Sequence, residues 1–331
     1  MSNFRYCLIV GATVVALWAI AVAADEVAVK TTSPSRVIEL GGSSSAVPAP
    51  VVSSLAVDPA GKRLVAVGDD HLVRIFQLPD IVLLHELTGH IDWVRAAAFS
   101  PDGQILVTAG DDRRIRLWEI SSSPVGHSAQ LQPYPIYALD YSPDGRMLAS
   151  GGFGGKVRIH DSRNGLVIRE LEESCGTVQT VRFSPGGKYL AAAGRDGKIR
   201  IWDASTGQSP GCFTGPPRPI DALAWSPDGK LLAAAGTQRS IQLWDVTSGR
   251  LVGNLSHNSG RVPTLVFCGP TTLASGGSDN VIRLWDVTTR RECERLIGHT
   301  ATVSALAYVA SSNTLISGSF DTTLRTWTID D

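Results

Sequence analysis

Residues 99–120 read "FSPDGQILVTAGDDRRIRLWEI", and the stretch returns at a fixed distance as "YSPDGRMLASGGFGGKVRIHDS" at 141–162, "FSPGGKYLAAAGRDGKIRIWDA" at 183–204 and "WSPDGKLLAAAGTQRSIQLWDV" at 225–246. Self-similarity at one period makes each copy a structural unit that must be read together with its neighbours. An aromatic slot near the end of each copy is held by Phe76, Trp118, His160, Trp202, Trp244, Trp285 and Trp327, at intervals of 42, 42, 42, 42, 41 and 42 residues. Seven copies thus occupy 51–331.

Each copy holds short alternating segments such as "VRAAAFS", "ILVTAG" and "RIRLWEI", which predict strands separated by turns. "SPDG" is a tight turn: proline presets φ, aspartate bonds its own backbone and glycine takes the position with φ above zero. The 33 glycines and 18 prolines suit many short strands, so the class expected is all-β. A lone four-stranded sheet leaves an apolar face wet, so the units must stack on one another. A closed ring then needs no capping repeats.

The triplet His160-Asp161-Ser162 has the composition of a hydrolytic triad, but its positions are those of the repeat. His160 stands in the tryptophan slot and Asp161 in the aspartate slot of a dipeptide intact at Trp202-Asp203, Trp244-Asp245 and Trp285-Asp286. Neighbouring strand residues point to opposite faces, so the two cannot aim at one another as a triad requires.

The period, "GH" at Gly89-His90 and Gly298-His299, the repeated "SPDG" and the "LWD"-type endings, spread over 36–331, resemble the WD40 family of β-propellers. The resemblance implies a seven-bladed β-propeller of four-stranded blades around a central channel. It also implies a hydrogen-bonded chain of His, Ser or Thr, Asp and Trp within a blade. Two blades keep all four members: His90, Thr108, Asp112 and Trp118 in the second, His299, Ser317, Asp321 and Trp327 in the seventh. Blade six has Asn258 rather than His257 in the histidine slot, blades four and five have Ala192 and Ala234 for the hydroxyl, and blade three has Gly154 for the aspartate. Blades three to five are therefore expected to rely on apolar stacking. Arg74, Arg116, Arg158, Arg200, Arg283 and Arg325 recur two residues before the aromatic slot and read as architecture, with stems between blades and heads in water.

After the last strand, Leu324 to Ile329, only two residues remain, so blade seven lacks its outer strand. "RVIEL" at 36–40 resembles the outer-strand segments "LLHEL" and "VIREL", and Val37 to Leu40 is expected to complete that blade. "GGSSSAVPAP" then links it to the repeats, so that 25–50 holds closing strand and linker.

The first 24 residues have the layout of a secretory signal: Arg5, an apolar stretch from Leu8 to Val22, then small residues at Ala21, Ala23 and Ala24. Two readings stand, cleavage after Ala23 or Ala24, or retention of Tyr6 to Ala24 as an anchor. Either exports the remainder to a periplasmic, secreted or other extracytoplasmic location. Four cysteines follow, Cys175, Cys212, Cys268 and Cys293, in no metal or redox spacing.

A net charge of −1, without a run of like charges, argues against nucleic acid as a partner. Membrane contact is expected only through a retained anchor, and no cofactor motif is present. The histidines at 71, 85, 90, 127, 257 and 299 fall in different blades or structural slots, which disfavours a metal or acid–base site. In the family the loops joining outer to inner and second to third strands form the usual binding face. By alignment that face carries Trp93, Arg95, Tyr134, Tyr137, Phe153, Arg195, Arg218, Asp221 and Phe320, residue types enriched at interface centres. The same residues could equally be rim side chains packed on neighbouring loops. The expected function is an exported, monomeric, non-catalytic scaffold for other proteins or peptides; the alternative is an extracytoplasmic hydrolase or lyase acting over the channel.

Overall fold

The computed structural model describes residues 29–40, 49–121, 124–171, 176–209, 211–215, 217–257 and 260–329. The signal segment, Cys175 and Asn258 lie outside them. Seven antiparallel sheets form seven blades, and within a blade the chain runs from the channel outward. Blade two is typical: Val94–Phe99 innermost, then Ile105–Gly110, Arg114–Glu119 and Val125–Leu131. The inner strands of neighbouring blades touch all the way round, including Val303–Val309 of blade seven against Val52–Val57 of blade one. The ring is closed.

Second strands such as Tyr189–Gly194 and Leu231–Gly236 are almost continuously buried, because both faces of each sheet are covered by the next blade. This is why "YLAAAG" and "LLAAAG" lack polar alternation. Seven apolar clusters fill the seven gaps between blades. The "SPDG" turns work as their chemistry demands: Asp102 Oδ1 accepts from Ser100 Oγ at 2.5 Å and from the Gln104 N–H at 3.0 Å, and Gly103 has φ of 68°. The Ser100 hydroxyl holds the Asp102 carboxyl below its ordinary range.

Polar bracing follows the repeat unevenly. In blade two the Thr108 hydroxyl accepts from Trp118 Nε1 at 2.8 Å and lies 2.7 Å from His90 Nε2, while His90 Nδ1 lies 2.8 Å from Asp112. Blade seven repeats the arrangement through Trp327, Ser317, His299 and Asp321 at 2.9, 2.7 and 2.8 Å. Burial pushes the Asp321 carboxyl up, but hydrogen bonds from Thr323, Thr300 and His299 outweigh it and hold it at about 2. Burial keeps the His299 ring below its usual value.

Blade three is braced by a different pair. His160 is fully buried, with Nε2 2.7 Å from the Ser150 hydroxyl and Nδ1 3.0 Å from the Gly165 carbonyl. Burial lowers its pKa to about 4. It does the work of the tryptophan it replaces, while Asp161 caps the following turn at Arg163 N–H and Ser162 donates to the Gly145 carbonyl. The three side chains of "HDS" thus bond in three directions.

Two expectations are corrected. The slot arginines do not all send their heads to water: Arg74, Arg200 and Arg283 are buried and pair with Asp70, Asp196 and Asp279, four residues back, at 2.6, 2.7 and 2.6 Å. The short loop between second and third strands places each carboxylate directly over its arginine. Blades three and four consequently do not depend on apolar stacking alone, since His160–Ser150 and Arg200–Asp196 are polar. In blade five Ala234 leaves Trp244 Nε1 buried without an acceptor among the described residues, and Trp244 instead stacks on Phe213 at 5.4 Å.

The N-terminal segment makes two pairings. Arg36–Glu39 lies antiparallel to Thr323–Thr328 as the outermost strand of blade seven, one residue earlier than Val37 to Leu40. Leu40 leaves the ladder and is buried between blades seven and one. Arg36 also reaches blade one, donating to the Asp80 carbonyl at 2.6 Å. Just upstream, Lys30–Thr32 adds a fifth, parallel strand to blade six, beside Arg291–Leu296. Cys212, Cys268 and Cys293 are free thiols.

Candidate functional site

Six of the seven inner strands carry a β-bulge one residue after their start, at Ser53, Arg95, Tyr137, Gln179, Asp221 and Ser304. In blade six Pro263 holds the corresponding position, immediately before Thr264–Phe267. A bulge leaves one residue unpaired and re-aims its side chain. All seven side chains line one cavity of about 560 Å³ at the channel mouth. One repeat position therefore supplies a ring of seven residues, and its chemistry changes from blade to blade while the turns around it stay constant.

Two members of the ring are braces. Ser53 donates to the carbonyl of Val94, and Ser304 donates to that of Val52, each bridging to the next blade. The others differentiate the surface. The Arg95 guanidinium stacks 3.6 Å above the Trp93 ring, lies 5.7 Å from the Tyr137 ring, and forks onto Asp111 at 2.6 and 3.1 Å. Asp221 accepts two bonds of 2.8 Å from Arg261, tying blade five to blade six. The sheltered indole N–H of Trp93 has no acceptor among the described residues. A buried donor left unmet costs about 1–3 kcal/mol, so such a group marks a place where an acceptor from outside would be favoured.

Of the nine rim residues named from the sequence, Trp93, Arg95, Tyr137, Arg195, Asp221 and Phe320 line this cavity. Tyr134, Phe153 and Arg218 are not among its lining residues. Tyr134 packs over the loop between the second and third strands of blade three: a Cβ added at Gly154 would sit 2.3 Å from its ring. Phe153 is 60% exposed beside it. Arg218 lies farther round the rim against Gly197. Sequence reasoning missed Gln179, Arg261 and Asp111. The first was legible as the column 53, 95, 137, 179, 221, 263 and 304, whose residue types vary; the other two are recruited by contacts across loops.

Below the mouth the bore holds about 420 Å³. Three residues beyond the bulge the repeat carries Ala56, Ala98, Asp140, Arg182, Ala224, Val266 and Ala307, so at this position only blades three and four carry a charge. Asp140 accepts from the Phe183 N–H at 2.6 Å. Desolvation by the walls pushes its pKa up to about 6, against the opposing pull of Arg182. Among the described residues no group of three or more metal-ligating side chains converges.

No curated protein matches the chain. A family profile described as Anaphase-promoting complex subunit 4 WD40 domain matches 213–270. The profile for WD domain, G-beta repeat, matches 37–77, 81–119, 122–161, 165–203 and 291–328, more than half of the residues. It leaves blades five and six unmatched, and these are the blades where Gln238 replaces the loop aspartate and Pro263 stands in the bulge position. Fold, repeat and profile agree that the chain belongs to the WD40-repeat family of β-propellers.

Proposed function

We propose that the protein is an exported, non-catalytic scaffold that holds a protein or peptide across the mouth of its channel. The observation that carries this reading is the ring of bulge residues: a regular scaffold that varies one inward-aimed position per blade has the means of specific recognition without chemistry at any single point. Trp93, Tyr137 and Phe320 offer rigid apolar area, and Arg95 is pre-ordered by Asp111 so that little freedom remains to be lost on binding. Affinity capture from the producing cell, comparing wild type with Trp93→Ala combined with Phe320→Ala, tests it. Loss of the captured species from a variant that melts like wild type supports the reading; undiminished capture overturns it.

The export component rests on the charged, apolar and small-residue order of residues 1–24. N-terminal sequencing of the mature protein is expected to begin at Ala24 or Asp25; a chain beginning at Met1 or Ser2 supports the retained anchor instead. The pairing of Arg36–Glu39 with blade seven supports a closing role for the N-terminal segment, and a single ring completed by its own chain needs no second subunit. One feature favours the alternative of chemistry over the bore, the raised pKa of Asp140. A lone carboxyl beside an arginine is a weak basis for hydrolysis, which needs a second acid, base or nucleophile in reach.

A further inference from the structure

The geometry points to a carboxylate-rich protein segment as the occupant of the mouth face, held by an arc of three arginines over blades four and five. The inference rests on the binding-face reading above and names the chemistry of the partner.

Arg195 lies in the loop between the second and third strands of blade four, Arg218 in the loop entering blade five, and Arg239 in the loop between the second and third strands of blade five. All three are exposed. Backbone contacts place them side by side. Gly197, two residues beyond Arg195, packs so closely on Arg218 that an added Cβ would lie 2.7 Å from its carbonyl oxygen. The next residue, Pro219, accepts from the Thr237 N–H at 3.1 Å, and Thr237 is two residues before Arg239. Pro219 also restricts Arg218 to extended backbone, which presents its side chain at reduced conformational cost.

None of the three guanidinium groups has a carboxylate partner among the described residues. The acids of this sector are already engaged: Asp196 with Arg200 at 2.7 Å, Asp221 with Arg261 at 2.8 Å, and Asp279 with Arg283 at 2.6 Å. The contrast with the slot arginines is the point. At the slot positions Arg74, Arg158, Arg200, Arg283 and Arg325 this chain supplies a carboxylate; on this arc it supplies none.

Three guanidinium groups spaced along neighbouring loops match carboxylates on a peptide, which arginine takes in a bidentate fork. The arc ends at the mouth cavity, where Arg195 shares the lining with Trp93, Tyr137 and Phe320. An acidic segment would therefore lie on blades four and five with an aromatic or aliphatic side chain in the cavity. A nucleic acid fits less well, since its phosphates call for a longer basic stripe and the chain carries a net charge of −1.

The test uses fluorescence anisotropy of a labelled oligoglutamate peptide carrying one tryptophan, with the full mature chain at low salt. Its arms are the same peptide with lysine in place of glutamate, phosphatidylglycerol vesicles, and a single-stranded oligonucleotide. The glutamate peptide is expected to bind and the lysine peptide not. Arg195→Gln, Arg218→Gln and Arg239→Gln together should weaken binding by about tenfold, a loss that shrinks as salt rises. All three sites are exposed, so the melting temperature should stay as in wild type. Failure of the glutamate peptide to bind overturns the inference, as does tighter arginine-dependent binding to vesicles or oligonucleotide. If the triple variant binds undiminished while Trp93→Ala weakens binding, the arc is wrong and the face reading survives. If neither variant matters, both fall.

Discussion

Ala234 and Thr108 occupy the same place in two blades, and the polar difference between them is one hydroxyl. In blade two that hydroxyl satisfies both Trp118 Nε1 and His90; in blade five its absence leaves Trp244 Nε1 without an acceptor among the described residues. Ala234→Ser should restore the bond and raise stability by about 1 kcal/mol, measured by urea unfolding. Thr108→Ala should do the reverse at larger cost, since it strands two buried groups. Asp140 offers a pH test. Its folded pKa, about 6, lies above the ordinary 3.8, so the folded state holds a proton more tightly than the unfolded chain. Its contribution to stability is therefore most favourable at low pH and declines as pH rises from about 4 to 6. Asp140→Asn keeps the acceptor for the Phe183 N–H and removes the charge. It should stabilise by about 1–2 kcal/mol at pH 7.5, discounted for partial exposure to the bore, and by almost nothing at pH 4. An equal gain at both pH values would contradict the assignment.

At the level of strands, the informative element is the first one laid down. Arg36–Glu39 contributes an outermost ladder to blade seven, and Ile38 and Leu40 reach into the apolar cluster shared by blades seven and one. Ile38→Ala with Leu40→Ala should cost about 3–5 kcal/mol, since a single buried truncation of this kind costs about 2–5 kcal/mol and half-buried Ile38 adds less than buried Leu40. Hydrogen exchange should show where the loss falls, with Thr323–Thr328 losing protection before the third strands of other blades. An unchanged melting temperature would mean that the ring holds shut without this strand. The parallel strand Lys30–Thr32 is a separate case, for it adds to a blade already complete. Its fixed points are polar, Lys30 to Glu294 at 3.2 Å and the Thr32 hydroxyl to the same carboxylate. The turns illustrate the opposite situation, since the serine, aspartate and glycine of "SPDG" need only each other, and their geometry recurs at Ser142-Asp144 and Ser226-Asp228.

Across the whole molecule, stability resides in seven equivalent gaps rather than one core, each filled by its own apolar cluster. In an open stack the end units would fray first. In this closed ring the second strands of all seven blades should exchange their amide protons at one common, global rate; earlier exchange of blades one and seven would show a ring that opens at its seam. Blade count, turn positions and the structural role of "HDS" were all legible in the chain, because a repeat period, a turn and a strand each depend on residues within a few positions of one another. The paired arginines were only half legible: their recurrence marked them as architecture, but that the aspartate four residues back folds over each head depends on the tightness of the intervening loop. Which rim residues share a cavity was not legible. Trp93 and Phe320 come together from blades two and seven, and Arg261 reaches Asp221 across forty residues, because ring curvature and the bulges of the inner strands sum over all blades. Tyr134 and Arg218 have the same residue types and loop positions and yet lie outside it. Periodicity by itself determined the propeller, since each blade repeats a local instruction; convergence at the mouth was decided only in three dimensions, where a side chain's neighbours belong to other repeats.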